Sequence, residues 1–443
     1  MKLPLELAVA ATAARLVEAG AAPPELRICT DTRHLEAGDT FVALHGERFD
    51  GHDFAAEAVR RGAAMLVVDD ERRCIPEAAA MIVRDTKAAY MALAGAARGL
   101  FQGRVVAITG SAGKTTTKAF LSQLLTQRCG GGAAATPRNE NNEIGVSKLL
   151  LELSNAEHEV AVVEMGARHY GDIAALVEIA RPHLGILTNV GDAHLEIMGS
   201  RERLEETKWA LFERGARAIL NAADAASLRR APGLAVAPHW FAGDLASLES
   251  PERFELLTAF EGRRLIHRRG GRTIELEVDL VVPGEHNRAN LAAAAAGAIE
   301  LGVSAEQLAD AIAGARLPEG RYDRVATSGG IALIYDAYNA NASSMIAALD
   351  AFGGEAAARR IAVLASMAEL GDESKALHER VGEHAARLVD VLLLRGEYAS
   401  DLARGAERAG FQAEQIVRVE SNAEAAQWLR EHARSDDVVL LKG

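Results

Sequence analysis

The sequence predicts an α/β protein of three domains. A central doubly wound, P-loop-type parallel sheet is flanked by a small N-terminal α/β domain and a C-terminal Rossmann-like α/β domain. Three observations carry this expectation. The apolar run Val105-Val106-Ala107-Ile108-Thr109 leads straight into Gly110-Ser111-Ala112-Gly113-Lys114-Thr115-Thr116-Thr117, then into a helical pattern at Phe120, Leu121, Leu124 and Leu125. Apolar runs alternate with helical patterns on both sides of it. The length of 443 residues corresponds to about three domains.

Residues 1–100 read as the first domain. A helix is expected at 5–16, short strands at 28–30 and 40–44, a helix at 53–62, a strand at 65–68 and a helix at 88–100. The loops between them carry Arg33, His45, Arg48 and His52, residue types that are common on solvated loops. Residues 101–314 read as the second domain, with strands at 105–109, 160–164, 184–188 and 216–220. In such sheets ligands gather beyond the carboxyl ends of strands, where Glu164, Asn189 and His194 stand. Between 254 and 282 the pattern changes to strict alternation at Ile274, Leu276, Val278 and Leu280, and Gly270-Gly271 supplies a tight turn. This predicts a small antiparallel flap. Residues 316–321 read as a linker. Residues 315–443 form the third domain, with strands at 332–335, 361–364, 389–394 and 438–441. Because the chain stops at the end of a strand, a further strand and helix are expected beyond it.

Composition narrows the function. The net charge of −13 argues against nucleic-acid or anionic-membrane partners, so an anionic substrate needs local cations or metals. Cys29, Cys74 and Cys129 stand apart without a CxxC pair, which suits a reducing, cytoplasmic setting. The early Glu6 and the lack of a long apolar core at the start argue against a signal peptide. The alanine-rich run at 291–299 is too short for a membrane span.

The stretch from Gly110 to Thr117 has the chemistry of a phosphate loop. Its glycines let backbone N–H groups close around phosphate oxygens, and a helix N-terminus adds partial positive charge. Lys114 can reach terminal phosphates and the Thr115 hydroxyl can ligate Mg²⁺. The first glycine of the full pattern falls on Ile108, leaving G-x-x-G-K-T-T. Glu164, at a strand end of the same sheet, reads as a second Mg²⁺ ligand or as a solvated acid. His194 is a metal ligand or an exposed loop histidine. Lys208 lies in a helical stretch, where lysines are normally solvated. Asn287 and Asn290 can pair with an adenine edge, although Asn287 can equally cap a helix. Asp336 can hold ribose hydroxyls or form a turn.

Taken together, these stretches resemble the Mur ligases of bacterial cell-wall synthesis. Further carriers are Asp31-Thr32-Arg33, Phe41 through His52, Asn139-Glu140-Asn141-Asn142-Glu143-Ile144-Gly145, Glu164-Met165-Gly166-Ala167, Thr188 through Ser200, His286-Asn287, Asp336-Ala337-Tyr338-Asn339-Ala340-Asn341 and Glu369 through Ser374. Within the family the likeness is to the type that adds a dipeptide.

The resemblance implies that the substrates are ATP, UDP-N-acetylmuramoyl-tripeptide and D-alanyl-D-alanine. They would be joined through an acyl phosphate by a cytoplasmic, monomeric enzyme. It implies that Gly110, Ser111, Ala112, Gly113, Lys114, Thr115 and Thr116 hold ATP phosphates. Asn287 and Asn290 then meet adenine, Arg321 a phosphate and Asp336 the ribose. Two Mg²⁺ ions fall to Thr115, Glu164, His194 and a carbamylated Lys208. Lys114, His194, Lys208 and Arg321 stand nearest the chemistry. Asp31, Thr32, Arg33, His45, Gly46, Asn139, Asn141 and Asn142 fall to the UDP-sugar peptide. Three departures lie in the third domain. Asn341-Ala342 replaces the usual Asn-Pro, Ala365-Ser366-Met367 replaces Gly-Asp-Met, and the Ser-Arg that follows Lys-Gly is absent. The alternatives are a sister ligase with another amine and a nucleotide-binding homologue without turnover.

Overall fold

Short apolar runs become strands covered on both faces: every residue of Met65–Val68, Val160–Glu164 and Leu184–Leu187 is buried, as parallel strands between helical layers must be. The computed structural model describes residues 1–17, 22–46, 49–130, 132–191, 195–280, 282–327 and 330–443. The chain forms two units. One comprises Met1–Ala107, Gly131–Gly166 and Asp172–His183, the other Ile108–Gly130, Ala167–Gly171 and Leu184–Gly443.

In the first unit a five-stranded sheet runs Arg15–Val17, Ala79–Ile82, Met65–Val68, Thr40–Val42, Ile28–Cys29. Its pairs are parallel except the first. Phe41, Leu66, Val68 and Ala80 pack with Ala55 and Ala58. The first helix is shorter than expected, Leu5–Thr12. It ends because Ala13 turns left-handed at φ 50°, and Leu16 enters the edge strand instead. The helix expected at 53–62 divides into a 3₁₀ turn, Gly51–Phe54, and a helix, Ala55–Arg60, with the Asp50 carboxylate accepting from the His52 N–H at the start of the turn. The unit also contains Ala133–Ala135, paired in parallel with Val160–Glu164.

In the second unit Leu184–Leu187, Arg217–Asn221, His239–Ala242 and Leu256–Glu261 pair in parallel, in chain order. The expected flap follows: Arg264–Arg269 and Arg272–Glu277 continue antiparallel. Arg269 faces Arg272 across a turn in which Gly270 and Gly271 both take positive φ, 54° and 76°. Two successive left-handed residues match the twist of a tight hairpin. The outer strand is only partly covered, and Ile274 stays 43% exposed.

The helix Glu285–Glu300 packs on Lys114–Cys129. Its alanines at 292–296 and 298 are fully buried, because only small side chains let it approach its neighbours on several sides. A six-stranded sheet then runs Asp323–Ala326, Ala332–Asp336, Asp437–Lys442, Arg359–Ala365, Val391–Arg395, Ile416–Val419. The first pair is antiparallel and the rest are parallel. Alternate residues feed two cores: Leu392, Leu394 and Leu440 enter one, and Leu393 and Val439 the other, as the two-residue period of a strand requires.

Candidate active site

The phosphate loop leaves the strand Arg104–Thr109 and is fixed by the segment after Leu184–Leu187. The Ser111 N–H donates to the Asn189 carbonyl at 3.0 Å. The Asn189 side chain grips Ala112 twice, accepting from its N–H at 3.1 Å and donating to its carbonyl at 3.2 Å. The Thr188 hydroxyl donates to the Ala112 carbonyl at 2.5 Å. Gly110 has no room for a side chain, since a Cβ would stand 1.9 Å from the Thr188 Oγ1. Gly113 takes φ 83° and caps the helix Lys114–Cys129, whose N-terminal N–H groups face the loop. Lys114 Nζ donates to the Gly110 carbonyl at 2.8 Å.

A cavity opens beside this loop. Gly113, Asn287, Asn290, Arg321, Asp336 and Lys442 all border it, so residues far apart in sequence meet around one space. Asn290 Oδ1 accepts from the Thr117 hydroxyl at 3.3 Å. Asn287 does not cap the helix; Gly284 does, and the Asn287 amide donates back to the Pro283 carbonyl at 3.0 Å. The Arg321 guanidinium lies over the Tyr338 ring, 4.2 Å from its centroid. Burial raises the proton affinity of Asp336, opposed by Lys442, whose Nζ lies 3.2 Å from Asp336 Oδ2. His286, also at the rim, is pushed down to about 4 by burial and by the Lys442 charge, which leaves it neutral near pH 7.

Lys208 departs most from what its helix suggests. It lies in Arg201–Trp209 and is only 1% exposed. Burial, with the Lys114 ammonium adding to it, lowers its pKa to about 7. The neutral, nucleophilic amine, which this shift makes accessible near pH 7, is the form that adds CO₂. His194 lies outside the described residues, as does Arg48.

Thr115 and Thr116 lie in the second unit with the phosphate loop, and the first unit holds Glu164 and the candidates from Asp31 to Gly46 and Asn139 to Asn142. Glu164 is buried, and its Oε1 accepts from the Asn141 amide at 2.9 Å. Asn142 caps the helix Glu143–Glu152 through the Gly145 N–H at 3.0 Å. The Asn141 N–H donates to the Asn139 carbonyl at 2.8 Å. Asp31 caps the turn Thr32–His34 and binds the Arg33 guanidinium at 2.7 Å, which together hold its carboxyl well below the usual range. His45 Nε2 lies 3.6 Å from Asp50 Oδ2, and Asp50 in turn fixes the buried His52 at 2.6 Å. Gly46 closes that loop by donating to the Phe49 carbonyl at 3.0 Å.

Sequence reasoning did not single out Thr188, His286 or Lys442 for the cavity. Lys442 belongs to the Lys-Gly pair at 442–443, but its place beside Asp336 depends on which strands pair. Asn189 stood at a strand end, and its double grip on Ala112 gives that position its purpose.

Over 366 residues the chain is 38% identical to the UDP-N-acetylmuramoyl-tripeptide--D-alanyl-D-alanine ligase of Synechocystis sp., covering 80% of this chain and 75% of that protein. The chain belongs to the Mur ligase family. Along this Mur ligase, residues 27–98 match the Mur ligase family catalytic domain, 108–298 the Mur ligase middle domain and 320–443 the Mur ligase glutamate ligase domain. Its structure is similar to a crystal structure of MurF from Acinetobacter baumannii, with a TM-score of 0.87 and 30% identity over 100% of this chain and 96% of that one. It is also similar to the MurF ligase of Thermotoga maritima solved in complex with ADP, with a TM-score of 0.77 and 28% identity over 94% and 93% of the two chains.

Proposed function

We propose that this Mur ligase joins D-alanyl-D-alanine to UDP-N-acetylmuramoyl-tripeptide with consumption of ATP, forming ADP and phosphate, in peptidoglycan precursor synthesis. The observation that carries the reading is the cavity of the second unit, which gathers the phosphate loop, Asn287, Asn290, Arg321 and Asp336 around one space. Relatives named for this reaction support the choice of substrates.

A carboxylate is a poor acylating agent because oxide does not leave. Transfer of the γ-phosphoryl group to the peptide carboxylate gives an acyl phosphate. The dipeptide amine then attacks the carbonyl carbon, and phosphate departs with the C–O bond electrons. Both partners of the first step are anionic, so positive charge must be fixed before they meet. Backbone N–H groups of Gly113 to Thr116 hold phosphate oxygens. Lys114 exchanges its Gly110 carbonyl for a phosphate oxygen, and Arg321 offsets charge at the joint to the third domain. Asn287 and Asn290 read the adenine edge, and Asp336 takes the ribose hydroxyls.

Hard oxygen donors suit Mg²⁺. In the second unit the Thr115 hydroxyl and a carbamate on Lys208 are the proposed donors; in the first it is the Glu164 carboxylate. His194 keeps the metal role its motif suggests. Bound Mg²⁺ supplies charge neutralisation at the transferring phosphoryl group. Asp31, Thr32, Arg33, His45, Gly46, Asn139, Asn141 and Asn142 are proposed for the UDP-sugar peptide. The domain division at 1–100, 101–314 and 315–443, a monomeric state and a cytoplasmic setting complete the reading.

The departures in the third domain fit the fold. Ala342 is the first residue of the helix Ala342–Gly353, capped by Asn341, a position where proline and alanine both serve. Ser366 Oγ accepts from the Tyr398 N–H at 2.9 Å. The test is phosphate release with UDP-N-acetylmuramoyl-tripeptide while the amine is varied. Turnover with D-alanyl-D-alanine, and a product heavier by that dipeptide less water, is expected. Turnover only with single amino acids overturns the choice of amine.

A further inference from the structure

We infer that Lys442 is a positioning residue for the nucleotide ribose, holding the Asp336 carboxylate and the turn after it in the orientation that meets the hydroxyls. The inference rests on the reading of Asp336 given above and extends it to a residue with no assigned role.

The placement follows from sheet register. Asp336 and Lys442 are direct partners at the carboxyl ends of adjacent parallel strands, with Leu364 on the far side of Lys442. The strand Asp437–Lys442 follows both in sequence but lies between Ala332–Asp336 and Arg359–Ala365. Sheet order departs from chain order there, and such points are where open α/β sheets place ligands. Lys442 borders the same cavity as Gly113, Asn290 and Arg321.

The contacts of Lys442 tie two points of one turn. Its ammonium lies 3.2 Å from Asp336 Oδ2 and donates to the Asn339 carbonyl at 2.6 Å. One cation thus fixes both the carboxylate and the backbone three residues later. Its side chain is 1% exposed, a state that lysine rarely takes unless paired. Without it, burial would favour the neutral acid at Asp336, since Lys442 is the chief influence opposing that burial; the Arg321 charge and the Tyr322 N–H add smaller opposition. A neutral carboxyl group keeps one acceptor oxygen and loses the charge that strengthens bonds from hydroxyls. His286, which borders the cavity as well, is held neutral and does not substitute for the ammonium.

A strut that only supports the fold would affect every nucleotide alike. A residue acting through Asp336 affects only nucleotides that carry ribose hydroxyls. The experiment therefore compares ATP with 2′,3′-dideoxy-ATP in the full ligation reaction. For Lys442→Met, the KM for ATP is expected to rise about tenfold, equivalent to about 1.4 kcal/mol. The KM for the dideoxy nucleotide should change less than twofold, and Lys442→Arg should recover most of the preference for ATP. Equal rises for both nucleotides overturn the inference and leave Asp336 as the ribose contact. A wild type that does not distinguish the two nucleotides removes the ribose role of Asp336, and this inference with it, while ligation itself stands. Should Lys442→Met not fold, Asp336→Asn is compared with Asp336→Asn/Lys442→Met, where no carboxylate is buried alone. Equal nucleotide preference in the two supports the inference, and a further loss in the double variant overturns it.

Discussion

Gly113 and Asn290 stand so close that a β-carbon on the glycine would fall 2.2 Å from Asn290 Oδ1. The turn proposed to hold phosphate and the helix proposed to read the base are therefore in direct contact. The positive φ of Gly113 adds a second reason for glycine. Gly113→Ala is expected to weaken ATP binding at least tenfold by calorimetry and to cost the fold about 1–3 kcal/mol. Unchanged affinity would break the link between loop and helix.

Asn189 holds the loop from the other side through both polar atoms of its amide. Asn189→Ala removes two neutral hydrogen bonds, together about 1–3 kcal/mol. The expected result is a KM for ATP raised about five- to tenfold, with the KM for the dipeptide unchanged. Steady-state kinetics with each substrate varied in turn checks it.

Lys208 is the clearest case of a residue whose environment contradicts its element. With a pKa of about 7, it is increasingly neutral above that pH, so CO₂-dependent activation is expected to strengthen as pH rises through 7. Wild-type activity should fall in CO₂-depleted buffer and return with bicarbonate. Lys208→Met should lose at least a hundredfold in kcat. Because the fold disfavours the ammonium, the unfolded chain binds more protons between about pH 7 and 10.5, and stability rises with pH in that window. Lys208→Met removes this effect, so its melting temperature at pH 7 should not fall below that of the wild type. Full activity in the variant would take Lys208 out of the mechanism.

A buried polar chain crosses the second unit away from the cavity. His239 Nδ1 meets Glu300 at 3.0 Å, its Nε2 meets the Thr258 hydroxyl at 2.8 Å, and Thr258 meets His267 Nδ1 at 3.0 Å. Burial, with the neighbouring His239 and Arg269 charges, lowers His267 to about 4. The unfolded histidine takes up its proton near pH 6.5, so stability is lost as pH falls from about 6.5 toward 4, by on the order of 2–3 kcal/mol. Urea denaturation at pH 7.5, 6 and 5 should show this, and His267→Gln should flatten the difference.

Sequence legibility followed local chemistry. The phosphate loop needs glycines and a lysine at fixed spacing, and the hairpin needs two residues at positive φ; both signals are local, and both elements stand where expected. Ala133–Ala135 carried no such signal. Three alanines have little strand preference, and they become a strand by pairing with Val160–Val162. Arg15 and Leu16 read as helix because the alanine-rich stretch before them continues the pattern, and only the left-handed Ala13 breaks it. The site divided in the same way. Lys114 and Asn290 were visible in motifs, whereas the burial of Lys208 and the pairing of Lys442 with Asp336 exist only after packing.

The strand Asp437–Lys442 enters the middle of its sheet, and Lys442 follows the carbonyl it binds by 103 positions. Until that strand arrives, Ala332–Asp336 and Arg359–Ala365 each present an open edge to the solution, the condition under which nascent chains pair wrongly. A ribosome-bound chain halted before residue 437 would therefore be both unable to complete the cavity that Lys442 borders and prone to join a neighbour through the gap. Timing of synthesis, as much as sequence, governs when this part of the molecule becomes safe.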